Sequence, residues 1–432
     1  MSSRRKFLKK GCKAATALAT TASIGFPHLA NASLEEQQVW RGLPQFAEDE
    51  FIWDWVRNEY SVSTTIANLN NGGVSPQPKV VQEVFEHYTK EFNTIPSMHM
   101  WSKGSISDSV REQLAVLAGC SPEEIAVNRN TTEAINTVIW GMDYAKGDEV
   151  VLCEQDYTSV MNTWEEAEAR YGIVLKWVSF DLPIEDDDTI VNAYTNAVTE
   201  KTKVVTITHV NNLNGNIMPV KKITAAVKKI NPEIKVLVDG AHAFAHLNFK
   251  ISDLGCDFYG TSLHKWLCAP FGTGMLYVKK KEIKKLWPLF THEDPQSDDI
   301  NKFSTFGTRN LPAELSIARA IYFHNTIGGE RKEARLRYLK DYWITRVADI
   351  PNVEVKTSLK PEYACALGSF SLKNMDERDV VDRLYKDYHV HLTYKSDKNG
   401  KYTGMRVTPH VYTNTKEMDR LVEGIKDLAK VQ

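Results

Sequence analysis

The chain has 432 residues, 42% of them hydrophobic and 25% charged, with a formal net charge of −2. That length allows a large core and the composition is that of an ordinary globular protein. The near-balanced charge, with no clustered basic stripe, gives no case for a nucleic-acid partner, and no apolar run makes a convincing membrane span.

Residues 1–32 read as a targeting segment. Ser3-Arg4-Arg5-Lys6-Phe7-Leu8-Lys9 carries paired arginines, an Ala/Thr-rich stretch follows from Ala14 to Leu29, and Ala30-Asn31-Ala32 offers small residues for a signal peptidase. The pattern resembles a bacterial twin-arginine export signal. It implies use of the twin-arginine translocase, a periplasmic location, no stable membrane association after cleavage, and a protein exported already folded. Without the six basic residues of this segment the mature chain has 47 basic and 55 acidic residues, a net −8, which again disfavours anionic partners. Cys120, Cys153, Cys256, Cys268 and Cys365 remain, with no CxxC spacing, and read as small buried apolar residues.

Residues 33–65 form an arm expected to pack with a smaller domain. Asn68 to Val74 is the first clear loop. Its Gly72-Gly73 pair would let backbone approach a ligand, and Asn70 within it is a candidate substrate-binding residue. From residue 66 to 310 apolar β-branched runs alternate with amphipathic stretches. The runs predict strands at Ile125–Asn128, Glu149–Cys153, Val174–Val178, Val204–Thr208, Val236–Asp239, Phe258–Thr261 and Gly274–Val278. Helices are predicted at Thr132–Met142, Thr158–Arg170, Ile190–Ala197 and Ile223–Lys229. This alternation predicts an α/β fold with a doubly wound sheet covered on both faces. Residues 311–432 read as a smaller α+β domain, opened by a charged helical segment at Ala313–Ala348 and closed by a helix at Thr415–Lys430.

Candidate chemistry collects at the ends of the predicted strands. Asp239 ends one apolar run, and Lys265 lies 26 residues on, just after another. A lysine amine can form a Schiff base with an aldehyde, and a buried aspartate can hold a pyridinium nitrogen protonated. Thr131 and Thr132 open a helix after a strand, where backbone N–H groups and hydroxyls make an anion site; they serve equally well as simple helix caps. Tyr157 follows a strand at the edge where ligands bind parallel sheets, and could stack on a planar group or merely pack. Asn212, in a turn, could hydrogen-bond an oxygen. His242 and His246, four apart, have a spacing that could ligate a metal on a helix, but no HExxH motif is present. Arg406 could hold a substrate carboxylate with two parallel hydrogen bonds.

Taken in order, Thr131-Thr132-Glu133-Ala134, Tyr157, Thr208-His209-Val210-Asn211-Asn212, Asp239-Gly240-Ala241-His242, Ser262-Leu263-His264-Lys265, Phe306-Gly307-Thr308-Arg309 and Met405-Arg406-Val407-Thr408-Pro409-His410 resemble the class V aminotransferase family of fold-type I pyridoxal phosphate enzymes. The branch that includes isopenicillin N epimerases and cysteine desulfurases is the nearest. The resemblance implies a large mixed seven-stranded sheet domain with a smaller C-terminal domain. It implies pyridoxal 5′-phosphate as cofactor, a Schiff base on Lys265, a quinonoid intermediate, and Asp239 on the ring nitrogen. Thr131, Thr132, Ser262 and His264 would surround the phosphate. Gly307 and Thr308 would reach the phosphate of a neighbouring subunit, which implies a homodimer. Tyr157 would stack on the ring, Asn212 and His242 would contact its hydroxyl oxygen, and Arg406 would bind the α-carboxylate. The substrate implied is a small-molecule amino acid or a residue of a modified peptide, and the reaction aminotransferase-type, with epimerisation or β-elimination as alternatives and a non-catalytic cofactor-bearing binding protein as the non-enzyme alternative. No cysteine stands between Val390 and Arg406, where desulfurases carry their nucleophile.

Overall fold

The computed structural model describes residues 47–102 and 104–431; the leader and most of the arm lie outside them. Seven strands build the main sheet: β2 (Ile125–Asn128), β3 (Glu149–Cys153), β4 (Val174–Val178), β5 (Thr202–Thr208), β6 (Lys235–Asp239), β7 (Phe258–Ser262) and β8 (Gly274–Val278), preceded by a two-residue strand β1 (Ala67–Asn68) outside this sheet. Their order is β2-β8-β7-β6-β5-β3-β4. Only β8 runs against the rest, pairing antiparallel with both β2 and β7, while the other pairs are parallel.

The period-2 alternation of strand side chains explains the apolar runs. Val151, Val205, Ile207, Val236 and Val238 enter one core. Val150, Leu152, Val204 and Leu237 enter the other, on the opposite face. The helices Thr131–Gly141 and Thr158–Tyr171 cover the second face with Ile135, Val138 and Trp164. The helices Gly104–Ala118, Asp187–Ala197, Val220–Ile230 and Leu311–Ile327 cover the first with Leu114, Ile190, Ile223 and Ile317. Because both faces are dry, each buried Val or Leu contributes roughly 1.5–3 kcal/mol. Trimming Leu237 to alanine would cost roughly 2–5 kcal/mol.

The predicted strands lie within two residues of those observed. The predicted single helical segment Ala313–Ala348 is instead two helices, Leu311–Ile327 and Gly329–Val347. Gly328 separates them at φ 90°, a conformation open to glycine. The first of the two is buried almost throughout and belongs to the core beside the large sheet.

Toward the C-terminus, β9 (Val353–Val355), β10 (Gly368–Leu372), β12 (Thr393–Ser396) and β13 (Thr403–Val407) form an antiparallel sheet in the order β12-β13-β10-β9. It packs with Trp343 and the helix Thr415–Leu428 around Phe370, Met405 and Leu421. Strand β1 pairs in parallel with β11 (Val390–His391), and Asn70 bridges to Thr408 just past β13. These pairings carry the Asn68–Val74 loop to the end of β13. The described part of the arm is a helix, Glu50–Asn58, clamped by Arg57 to Glu417 at 2.7 Å and by Glu50 to the fully buried Arg335 at 2.5 Å. No helix of the described residues is long and apolar enough to cross a membrane.

Candidate active site

The loops leaving the carboxyl ends of β2, β3, β5, β6 and β7 open on one edge of the sheet, the edge at which open α/β sheets bind ligands. A cavity of about 260 Å³ lies there. Thr131, Thr132, Tyr157, Asn212, Asp239, His242, Ser262, His264, Lys265 and Arg406 all line it, together with Gly72 and Gly73.

Lys265 sits in a turn fixed from both sides. The Leu263 N–H donates to the Thr273 carbonyl at 2.9 Å, and the Ser75 N–H donates to the His264 carbonyl at 3.0 Å. Lys332, buried, donates to the Trp266 carbonyl. Burial pushes the Lys265 amine down to about 8; Asp239 opposes that shift, and the Arg406 and Lys395 cations add to it. Asp239 accepts the Ala241 N–H at 2.9 Å. Its carboxyl is raised by burial, against the pull of that hydrogen bond and of Lys265. An aspartate so placed gains from a cationic N–H partner, because burial disfavours its lone charge.

At the start of the helix Thr131–Gly141 several donors converge. The Thr131 N–H donates to Ser262 Oγ at 2.9 Å, the two hydroxyls lie 2.7 Å apart, and Thr132 Oγ1 is 3.4 Å from Ser159 Oγ. Asn130 caps the helix by accepting the Glu133 N–H at 2.9 Å. Hydroxyls and free backbone N–H groups at the positive end of a helix dipole form an anion cradle. His264 borders it, held by its Nδ1 at 2.9 Å from the Thr273 carbonyl.

Arg406 closes the other end. Nη1 donates to the Asn212 carbonyl at 3.2 Å and Nη2 to Asn70 Oδ1 at 3.1 Å, while Nε is buried without a partner. Burial lowers its guanidinium to about 10, and no carboxylate opposes that shift. Asn212 Oδ1 and His242 Nδ1 are likewise buried and unpaired. Burial keeps His242 neutral, holding it well below its ordinary value, with Lys265 and Arg406 adding to the effect. Tyr157 is 45% exposed at the rim.

Gly307, Thr308 and His246 lie outside this cavity. Gly307 and Thr308 are exposed and do not line this cavity; Gly307 borders a separate one with Trp101, Arg111 and Phe306. His246 does not pair with His242 as a metal ligand. Residues 241–246 form turns rather than a helix. His246 Nδ1 is 2.6 Å from the His242 carbonyl, its Nε2 accepts the Ala366 N–H at 2.9 Å, and its ring stacks on Trp266 with centroids 3.9 Å apart.

Other residues of the site escaped the sequence reading. Lys395, Ser159 and Thr208 line the cavity. Asp156, behind it, accepts the Thr208 hydroxyl at 2.6 Å and the Cys153 N–H at 2.9 Å, and burial raises its carboxyl to about 7.

Comparison with known proteins finds relatives along most of the chain. The chain is similar to isopenicillin N epimerase of Amycolatopsis lactamdurans, 27% identical over 88% of this chain and 99% of that protein. It is similar to a probable cysteine desulfurase of Halalkalibacterium halodurans, 28% identical over 74% of this chain and 80% of that one. Among solved structures, the apo cysteine desulfurase of Thermococcus onnurineus NA1 superposes with a TM-score of 0.78 at 21% identity, covering 87% of this chain and 98% of that one. A C-DES mutant with glycine covalently linked to its PLP cofactor gives 0.77 at 20% identity, covering 86% and 99%. The family model for class V aminotransferases matches residues 67–420. The chain belongs to the class V aminotransferase family, whose cofactor is pyridoxal phosphate.

Proposed function

We propose that this chain uses pyridoxal phosphate to act at the α-amino group of an amino acid, free or as a residue of a modified peptide, with aminotransferase-type chemistry. The observation that carries the proposal is the convergence of Lys265, Asp239 and a carboxylate-free Arg406 on one cavity.

The residues fit the cofactor. Asn212 and His242 line the cavity and each keeps a buried unpaired atom, Oδ1 and Nδ1; a ring hydroxyl can donate to the first or accept from the second. A Cβ on Gly72 would meet Thr408 at 3.0 Å and His242 at 3.1 Å, so the loop lies as close to the ring pocket as glycine allows. Thr131, Thr132, Ser262 and His264 would hold the phosphate, Asp239 the ring nitrogen, and Tyr157 one ring face. When bound, the cofactor withdraws electrons from the substrate carbon that carries the amine.

The chain's own groups do the rest. Lys265, with its amine near 8, is partly neutral at physiological pH and can both attack a carbonyl and move the proton of the substrate carbon. Arg406 fixes the α-carboxylate and so aims that proton at Lys265. Not restoring the proton to that carbon leads to a keto acid; restoring it with inverted configuration gives an epimer. The similarity to isopenicillin N epimerase favours epimerisation as a second reading. A desulfurase reaction lacks its nucleophile. Cys365, the nearest cysteine upstream of Arg406, is fully buried and pushed up to about 12 by that burial, outside the cavity.

The arrangement extends to partners. Gly307 and Thr308, exposed and away from the chain's own cavity, would complete that of a second copy in a homodimer. The twin-arginine leader, outside the described residues, directs export of the folded protein to the periplasm.

The test is an absorption spectrum of the purified mature protein with a panel of amino acids. A band near 420 nm that bleaches with release of keto acid supports transamination. A persistent band with exchange of the α-hydrogen for deuterium supports epimerisation. No band after reconstitution with pyridoxal phosphate overturns the proposal.

A further inference from the structure

Strands β12 and β13 pair antiparallel with Thr393 opposite Arg406 and Lys395 opposite Gly404. Lys395 lies two residues beyond Thr393, so it leaves the sheet on the same face as Arg406, as its diagonal neighbour. Both side chains line the cavity. Two lysines near this strand have acidic partners: Lys398 pairs with Glu165 and Lys356 with Glu354. Lys395 has none among the described residues. The charged groups that face it, Arg406 and Lys265, are both cations, and burial is the larger cause of its lowered amine.

The single carboxylate lining the cavity is Asp239. It acts on Lys265 and not on Arg406 or Lys395. The anion cradle is also served separately. His264, at its border, feels Lys265 but not Lys395. Two cations therefore stand side by side at the substrate end, partly stripped of water and with no carboxylate beside them; the one group that favours the Arg406 charge is the Tyr157 hydroxyl. Like charges so placed are costly in the free protein, and a ligand bearing anionic groups removes the cost.

An α-carboxylate uses one of them. We infer that the substrate carries a second acidic group, a side-chain carboxylate, which Lys395 binds while Arg406 holds the α-carboxylate. The substrate class is thus an acidic amino acid. This rests on the function proposed above, with Lys265 facing the amine.

The test uses unreactive acids on the holoenzyme, so that binding is read apart from turnover. Glutarate and butyrate are titrated while following the cofactor absorption and the intrinsic fluorescence, in the wild type, Lys395→Met and Lys395→Arg. Glutarate should bind the wild type roughly tenfold more tightly than butyrate, the scale of one charge-assisted hydrogen bond. Lys395→Met should bring the two acids within about twofold without weakening butyrate, which also shows that the variant is folded, and Lys395→Arg should keep most of the preference. Equal affinities in the wild type, or a preference that survives Lys395→Met, overturns the inference. A protein with no cofactor band fails the enclosing proposal; one with the band but no dicarboxylate preference fails this inference alone.

Discussion

Arg406 Nη2 donates to Asn70 Oδ1 at 3.1 Å, joining β13 to a loop 336 residues earlier in the chain. Its other terminal nitrogen is held by the Asn212 carbonyl. The guanidinium is thus fixed by neutral partners and keeps its charge for a ligand. Arg406→Ala should raise KM for α-carboxylate substrates about 10–100-fold, the loss of a charge-assisted pair. Arg406→Lys should recover little of it, because a lysine offers no planar fork. Asn70→Ala should have a smaller effect in the same direction. Steady-state kinetics decide the matter; an unchanged KM in Arg406→Ala would assign the arginine to another task.

Lys265 and Lys395 both line the cavity, and Lys265 is the one on which Asp239 acts. Lys265→Ala should lose the band near 420 nm and turnover together, while Lys395→Met keeps the band. Borohydride reduction followed by peptide mass analysis should place the cofactor on Lys265 in the wild type. An adduct retained in Lys265→Ala would point to a different lysine.

The same amine sets a pH dependence. With its value lowered to about 8 by burial, Lys265 is charged below that pH and neutral above it. Only the neutral amine attacks a carbonyl. Uptake of pyridoxal phosphate by the apoenzyme should therefore quicken as pH rises through about 8 and then level off, well below the ordinary lysine range near 10.5. Stopped-flow absorbance measures it. A rate still rising steeply above pH 10 would mean that the amine is not depressed.

How legible this site is in sequence depends on what holds each residue. The seven strands stand out because both faces are buried, so runs such as Val236-Leu237-Val238 are apolar without interruption. Asp239 and Lys265 stand out in turn because they end or follow such runs. Lys395 does not. It lies in Thr393-Tyr394-Lys395-Ser396, a polar edge strand in which a lysine reads as a solvated charge. Only the register with Arg406 turns it inward, and register is a tertiary property. Asp156 is hidden for the same reason, since its partner Thr208 lies 52 residues on. The break at Gly328 was readable in kind, a glycine pair within a helical pattern, but charged residues on both sides continue the helical texture across it.

Asp156 offers a test of the buried support beneath the site. Its carboxyl is raised from 3.8 to about 7, first by burial and in small part by Asp239, although Thr208 and the Cys153 N–H both donate to it. Between those two values the folded carboxyl holds a proton that the unfolded one has released. The folded state then binds more protons, and stability must fall as pH rises through that window. Asparagine at 156 cannot titrate and mimics the protonated carboxyl: its Oδ1 can accept the Cys153 N–H and its amide N–H can donate to the Thr208 hydroxyl. Asp156→Asn should accordingly match the wild type within about 1 kcal/mol near pH 5 and gain on it toward pH 8. Urea unfolding of the apoprotein at several pH values measures this. A gap that stays constant from pH 5 to pH 8 would show that Asp156 is ionised throughout, and that its two donors outweigh its burial.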